Sequence, residues 1–214
     1  MINYILSSSL RREQIYDTLR KGILSNEIPN GTILNETKLA KKFGVSNTPV
    51  REAIRMLDNE GLVESIPYKG NLAKSPSQED KIEIYLLRGI LESFAGSIAA
   101  QKITEEEISC LKEIMQKVEF YLHEKNYEEA NKLNFLFHET IWKASRCNRV
   151  IRILDNLKVY IEVFRTQNYF LPGQAEISHL EHKKILEALE SGDPLSVEKS
   201  IIDHVSRLEK DIEN

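Results

Sequence analysis

The chain is predicted to be mostly α-helical, with an N-terminal winged helix-turn-helix followed by an all-helical antiparallel bundle. Three observations carry that prediction. Residues 31–61 read as two short amphipathic helices joined at a glycine, the next stretch alternates apolar and polar residues about a tight tip, and residues beyond 78 repeat a 3.6-residue periodicity in six segments. With 214 residues there is room for a small domain over 1–75 and a larger one over 78–214 that can bury its own core.

Leu10 to Ser25 opens the first part as an amphipathic helix with Ile15, Leu19, Ile23 and Leu24 on one side. Asn35 can accept the free amide protons of a helix over Glu36 to Phe43, and Gly44 provides its sharp exit. Thr48 is then expected to cap a second helix, with Pro49 at its first position, where no amide proton is needed, and Gly61 at its end. Val50, Ala53, Ile54 and Leu57 form its apolar stripe. Asn47, Thr48, Arg51 and Arg55 lie at the exposed N-terminal end, where a recognition helix presents side chains to base edges and phosphates. In GLVESIPYKGNLAKS, Leu62, Val63 and Ile66 face the helices of a two-stranded wing, and Lys69 and Gly70 sit at its turn. There a lysine can neutralise phosphate, and a backbone without Cβ can come close to it.

Ser-Pro-Ser near 75–77 marks the boundary, and Ser77 can cap the helix beyond it. Asp80 to Gln101 carries an apolar face through Ile84, Leu87, Leu91, Phe94 and Ile98. Thr104 and Glu107 have the spacing of a capping box for the next helix. Further helices are expected over Tyr127–Ser145, Arg149–Thr166, Gln174–Glu190 and Pro194–Glu209, the last after a glycine, an aspartate cap and a proline start. Short punctuated breaks between six helices predict an antiparallel bundle.

The charge divides the same way. Up to Ser75 there are 11 Lys and Arg against 8 Asp and Glu, whereas the remainder holds 18 against 25, so the overall −4 hides a basic first part and an acidic second. Nucleic acid suits the first and would be repelled by the second. Cys110 and Cys147 have no paired spacing for a disulfide framework or a zinc ribbon. Neither a secretion signal nor an 18-residue apolar run is found, so a cytoplasmic protein without a membrane partner is expected.

The run LAKKFGVSNTPVREAIRMLDNEGLVESIPYKG resembles the winged helix-turn-helix of the GntR superfamily of bacterial transcription regulators, over roughly residues 9–75. The resemblance implies DNA contacts from Ser46, Asn47, Thr48 and Arg51 on the recognition helix, and from Lys69 and Gly70 on the wing. The family commonly has arginine where this chain has Thr37 and Asn47. Asn47 offers instead an amide suited to an adenine edge.

Five histidines, at 123, 138, 179, 182 and 204, carry the chemistry of the second part. Asn134 and His138 are four apart and project from one helix face. His182 shares a face with Ile185, Leu186 and Leu189, and His204 with Ile201, Val205 and Leu208. Three inward imidazoles and an amide oxygen suit a borderline divalent cation such as zinc, nickel, manganese or iron. Singly, each fits a satisfied core or surface histidine better than a ligand. His123 and His179 read as solvated.

NFLFHETIWKASRCN, EHKKILEALESGD and the closing IIDHV are similar to signature segments of the FCD effector domain of the FadR branch of that superfamily, over roughly residues 78–211. Six helices match its VanR-type subgroup. The resemblance implies metal ligation by Asn134, His138, His182 and His204. It also matches Arg88, in RGILE, to an arginine that clamps an effector carboxylate. From the residues alone, Arg88 and Glu92 equally form an ordinary helix pair. Trp142, Phe164, Tyr160 and Tyr169 read as core or pocket wall.

Together these features describe a homodimeric DNA-binding regulator, not an enzyme, controlled by a small carboxylate and binding a near-palindromic operator. The alternative is a helical metalloprotein with a structural metal clip, or a metal-dependent hydrolytic activity, attached to a DNA-binding module. No pair of histidines has the HExxH spacing with its general-base glutamate.

Overall fold

The computed structural model describes the backbone of residues 2–213 and the side chains of residues 11–207, those of 165, 167 and 168 excepted. Contacts divide the chain into two compact units, Met1–Ser77 and Gln78–Asn214.

In the first unit, α1 (Ile2–Leu24), α2 (Glu36–Phe43) and α3 (Asn47–Asn59) are followed by the strands β1 (Val63–Ile66) and β2 (Gly70–Ala73). The core is the predicted one: Ile15, Leu19, Ile23 and Leu24 of α1 are buried, as are Val50, Ala53, Ile54 and Leu57 of α3. Glu60 ties α3 back to α1, accepting from Tyr16 Oη at 2.6 Å and pairing with the buried Arg20. Asn35 accepts from the Lys38 amide, and Gly44 closes α2 in the left-handed conformation at φ +66°. Antiparallel β1 and β2 pair Val63 with Ala73 and Ile66 with Gly70, leaving residues 67–69 as the wing tip.

One boundary differs. The capping position of α3 is Ser46, two residues before the expected Thr48, and its side chain makes no capping bond. Pro49 therefore falls third in the helix. Its missing N–H costs nothing there, because none of the first four amides has an intrahelical partner. Gly61 ends the helix as expected, at φ +78°.

The second unit consists, among the described residues, of six helices: α4 (Gln78–Ala99), α5 (Glu105–His123), α6 (Tyr127–Ala144), α7 (Asn148–Tyr169), α8 (Gln174–Ser191) and α9 (Pro194–Glu213). Thr104 and Glu107 complete the capping box of α5 in both directions. Asp193 accepts from the Leu195 amide and the Ser196 hydroxyl at the start of α9. Phe135, Trp142, Leu154 and Ile161 join Ala95 in the apolar core. The side chain of Leu208, expected on the inward face of α9, lies outside the described residues.

α4 departs from its predicted face. Leu87 and Phe94, expected inward, are about half exposed, while Tyr85, Arg88, Glu92, Ser93, Ala95, Gly96 and Ala99 are buried. Two causes act together. Arg88 and Glu92 satisfy each other and so tolerate burial, and the small residues let α9 approach. An added Cβ at Gly96 would stand 2.3 Å from Ile201 Cδ1 and 3.0 Å from Val197 Cγ1. The Gly96→Ala protein should therefore lose about 1–3 kcal/mol in urea unfolding, although alanine is the better helix former. An unchanged midpoint would show that α4 and α9 can separate freely.

Candidate metal and effector site, and candidate DNA surface

Helix geometry places Asn134 and His138 one turn apart on α6, while His182 on α8 and His204 on α9 arrive from separate helices. All four side chains are buried. The ring nitrogens of the three histidines include a set in which every atom lies within 4.8 Å of the others. His182 Nε2 and His204 Nε2 are 3.4 Å apart. Two imidazole nitrogens sharing one tetrahedral zinc at about 2.0–2.1 Å stand about 3.3–3.4 Å apart, so this pair already has the spacing of co-ligands.

The opposite ring nitrogens explain the orientation. His138 Nδ1 lies 2.9 Å from Glu92 Oε2, and His204 Nδ1 lies 2.7 Å from Glu181 Oε2. A neutral imidazole that donates from Nδ1 to a carboxylate keeps its lone pair on Nε2, the arrangement found behind metal-bound histidines. Each carboxylate is held in turn by an arginine. Arg88 Nε donates to Glu92 Oε1 at 2.8 Å, and Arg207 grips Glu181 with Nε and Nη2 at 2.6 and 2.9 Å. Nothing in the sequence singles out Glu92, Glu181 or Arg207 for this role. Their partners lie 23 or more residues away, apart from the Arg88 to Glu92 turn, so spacing carries no signal of them.

Burial holds His138 neutral, its pKa pushed down to about 3 against the opposing pull of Glu92. It lowers His204 likewise. Burial alone would raise Glu92, but the Arg88 charge and His138 hold it well below the usual carboxylate range. Glu181 also remains low, the bonds from His204 and Arg207 outweighing its burial.

Four of the buried side-chain polar atoms without a hydrogen-bond partner among the described residues belong to this site: both amide atoms of Asn134, Nη1 of Arg88 and Nε1 of Trp142. Such buried groups call for a partner of some kind. Arg88 Nη2 contacts His138 Nε2 at 3.3 Å. This places a guanidinium next to the imidazole cluster, and its pairing with Glu92 is fully buried, unlike an ordinary exposed helix pair. Trp142 lines a small void with Glu92 and His138, and Tyr160, Phe164 and Tyr169 are core. His123 is exposed, as expected. His179 is not: it is 6% exposed, turned onto α5 near Glu119, and its burial is invisible in the pattern of its own helix.

In the first unit Ser46, Asn47, Thr48 and Arg51 are all exposed at the start of α3, with Lys69 and Gly70 at the wing tip. Arg51 is not free. Its Nε and Nη2 both reach Glu36 Oε2, at 3.0 and 2.9 Å, which fixes the guanidinium over the end of α2. Tyr68 is fully exposed at the tip with φ +65°, a conformation bulky residues seldom adopt.

The chain is similar to known proteins along most of its length. Residues 83–207 match the model of the FCD domain, and residues 11–72 that of bacterial regulatory proteins of the gntR family. The chain is 31% identical to the uncharacterized HTH-type transcriptional regulator YdhC of Bacillus subtilis (strain 168), over 89% of this chain and 86% of that protein. It is 33% identical to the gluconate operon transcriptional repressor of the same organism, over 68% of this chain and 60% of that one. The solved structure of E. coli McbR/YncC superimposes with a TM-score of 0.73 at 20% identity, covering 95% and 97% of the two chains, which speaks to the fold.

The buried pairing makes two stability outcomes measurable. Glu92→Ala strands a buried guanidinium and should cost about 3–5 kcal/mol in urea unfolding. Lys112→Ala, which breaks the surface pair with Glu190, should cost under about 1 kcal/mol. Equal effects would mean that Arg88 finds another partner. In chelator-treated protein, the neutral His138 also makes stability depend on pH. The unfolded imidazole takes up protons below about 6.5 while the folded one resists down to about 3. Stability is therefore complete above pH 6.5 and declines towards pH 4, and the decline should shrink in His138→Asn.

Proposed function

The chain belongs to the gntR family of bacterial regulatory proteins, with an FCD domain after its winged helix-turn-helix, and from that premise we propose a metabolite-controlled repressor of transcription. The first unit would bind operator DNA and the second an effector. Transcriptional regulation is what the family does; the control, the ion and the geometry on DNA are our reading. No described helix is long and apolar enough to cross a membrane.

The observation that carries the effector reading is the buried imidazole cluster with a carboxylate behind two of its rings. Asn134, His138, His182 and His204 would hold a divalent cation, zinc, nickel, manganese or iron. The ion would supply positive charge that four neutral ligands leave uncompensated. Arg88, with Nη1 unpartnered, would meet a carboxylate of the effector by two parallel hydrogen bonds. One relative is named for a gluconate operon, and gluconate is such a carboxylate. Drawing Arg88 towards the effector relaxes its contact with His138 and perturbs α4. That gives the bound and free states different energies, which any control of DNA binding requires.

On DNA, a homodimer would place two recognition helices in successive major grooves, reading a near-palindromic operator with half-sites about 34–36 Å apart. Ser46, Asn47, Thr48 and Arg51 would approach bases and phosphates, with Lys69 and Gly70 at the neighbouring backbone. Glu36 keeps Arg51 in one rotamer, lowering the entropy lost when it docks.

Native mass spectrometry of protein purified without chelator is expected to show about one ion per chain, lost from His182→Ala. That variant should bind the operator as tightly as the wild type and fail to respond to the effector. Parallel loss of operator binding in a folded variant would make the cluster a structural clip. Arg51→Ala should weaken operator binding by about 1–3 kcal/mol, a factor of roughly 5–150, with the effector domain unaffected. A binding curve unchanged by Arg51→Ala would remove α3 from the DNA surface.

A further inference from the structure

Arg88 makes two contacts at once. Its Nε donates to Glu92 Oε1 at 2.8 Å, and its Nη2 reaches His138 Nε2 at 3.3 Å. A guanidinium carries only donors and keeps its proton in a protein, so in the second contact Nε2 is the acceptor. The other side of the ring agrees, because Nδ1 faces Glu92 Oε2 at 2.9 Å and carries the imidazole proton. One nitrogen of His138 is thus committed to Glu92, and the other offers its lone pair to Arg88.

Nε2 is also the nitrogen with which His138 could join His182 and His204 around an ion. An imidazole nitrogen has a single lone pair. A divalent cation takes it at about 2.0–2.1 Å, well inside the 3.3 Å that separates Nε2 from Nη2. The ion and the N–H group therefore exclude each other at this atom, and in a buried site their like charges add to the conflict.

We propose that Arg88 competes with the ion for the Nε2 lone pair of His138, which makes ion binding and effector binding reinforce each other. The inference rests on the metal and effector reading above and supplies its regulation. With an ion on Nε2, Nη2 is released and joins Nη1, which has no hydrogen-bond partner among the described residues. Two N–H groups side by side form the edge that a carboxylate engages with parallel hydrogen bonds. Glu92 keeps its bond from Nε throughout, and the Tyr85 ring, 5.7 Å from Cζ, steadies the charge. Water does not substitute for the carboxylate from the void that Glu92 and His138 line, which is too narrow to admit it. Conversely, a carboxylate that draws the guanidinium off His138 uncovers the lone pair for the ion. Either ligand alone must break the Arg88 to His138 bond without the other's compensation. By linkage each raises the affinity of the other by the same factor, ordinarily about 5–150-fold. The second unit would then respond to a carboxylate and an ion together more strongly than to either.

The test is the zinc affinity of the full chain, measured by competition with the dye pyridylazoresorcinol in a carboxylate-free buffer, with circular dichroism as the folding check. Arg88→Lys keeps the charge and the pairing with Glu92, but its ammonium ends one bond short of Nη2 and gives up His138. It should hold zinc at least about 5-fold more tightly than the wild type. A residue that merely supported the site would weaken zinc when replaced, so the sign of the change separates the two roles. Arg88→Gln, which retains an amide donor for Glu92 and has no Nη arm, should tighten zinc likewise and decides the matter where Arg88→Lys does not fold. A folded variant whose affinity equals or falls below that of the wild type overturns the competition while leaving the metal site in place. Zinc binding that is absent from the wild type, or undiminished in His182→Ala, overturns the site itself and this inference with it.

Discussion

The second unit depends on one buried arrangement, the chain of Arg88, Glu92 and His138 that runs from α4 to α6. A carboxylate and a guanidinium without solvent are each costly, and their pairing alone commonly fails to repay the loss of water. Glu92 is held by more than the pair, because its second oxygen accepts from His138. That bond decides which nitrogen of the imidazole keeps a lone pair, and it fixes the rotation of α4. With Arg88 and Glu92 inward, Leu86, Ile90 and Phe94 are carried outward. The polar interior and the apolar exterior of one helix have a single cause.

The same device recurs across α8 and α9, where Arg207, itself held by the Gln174 amide oxygen, secures the carboxylate that orients His204. Two arginine–carboxylate–histidine chains thus converge on one cluster from different helices, and the aromatic ring of Phe137 stacks on the third histidine, His182, at 4.5 Å. Rings held on both sides lose little freedom when a ligand binds, which is the advantage of preorganisation. Gly96 makes the convergence possible by admitting α9 close to α4. Asn134 remains unsatisfied, with both amide atoms lacking a hydrogen-bond partner among the described residues, as do Nη1 of Arg88 and Nε1 of Trp142.

The first unit is built differently. Its core is apolar, with the Tyr16, Arg20 and Glu60 contacts tying α3 to α1 at its margin, and the functional surface lies outside that core. There the one long polar side chain of the recognition helix start, Arg51, is restrained by Glu36 from the preceding helix. The wing tip places Tyr68 and Gly70 at positive φ, so that the turn of three residues can return the chain into register.

Much of the fold was legible because it is encoded locally. Asn35, Gly44, Thr104, Glu107 and Asp193 mark helix ends through bonds to residues within four positions, and the apolar stripe of α3 needs only helical spacing to be seen. The two winged strands follow from alternation about the Tyr-Lys-Gly tip. The inward histidines could be nominated in the same way, from the apolar neighbours on their own helices. What periodicity could not reach was any contact between helices. It set α4 with Leu87 and Phe94 inward because it ranks residues by polarity, and a charged residue whose partner is buried with it violates that ranking. It left His179 in solvent because the helix covering it is distant in sequence, and it missed Glu181 and Arg207 because their purpose is to hold His204, 23 residues beyond Glu181. The sequence by itself determined the helices, their ends and the division into two units, since these depend on neighbours along the chain. Only the tertiary structure decided which face of α4 is buried and which side chains meet around the histidines, since burial and pairing are properties of packed helices.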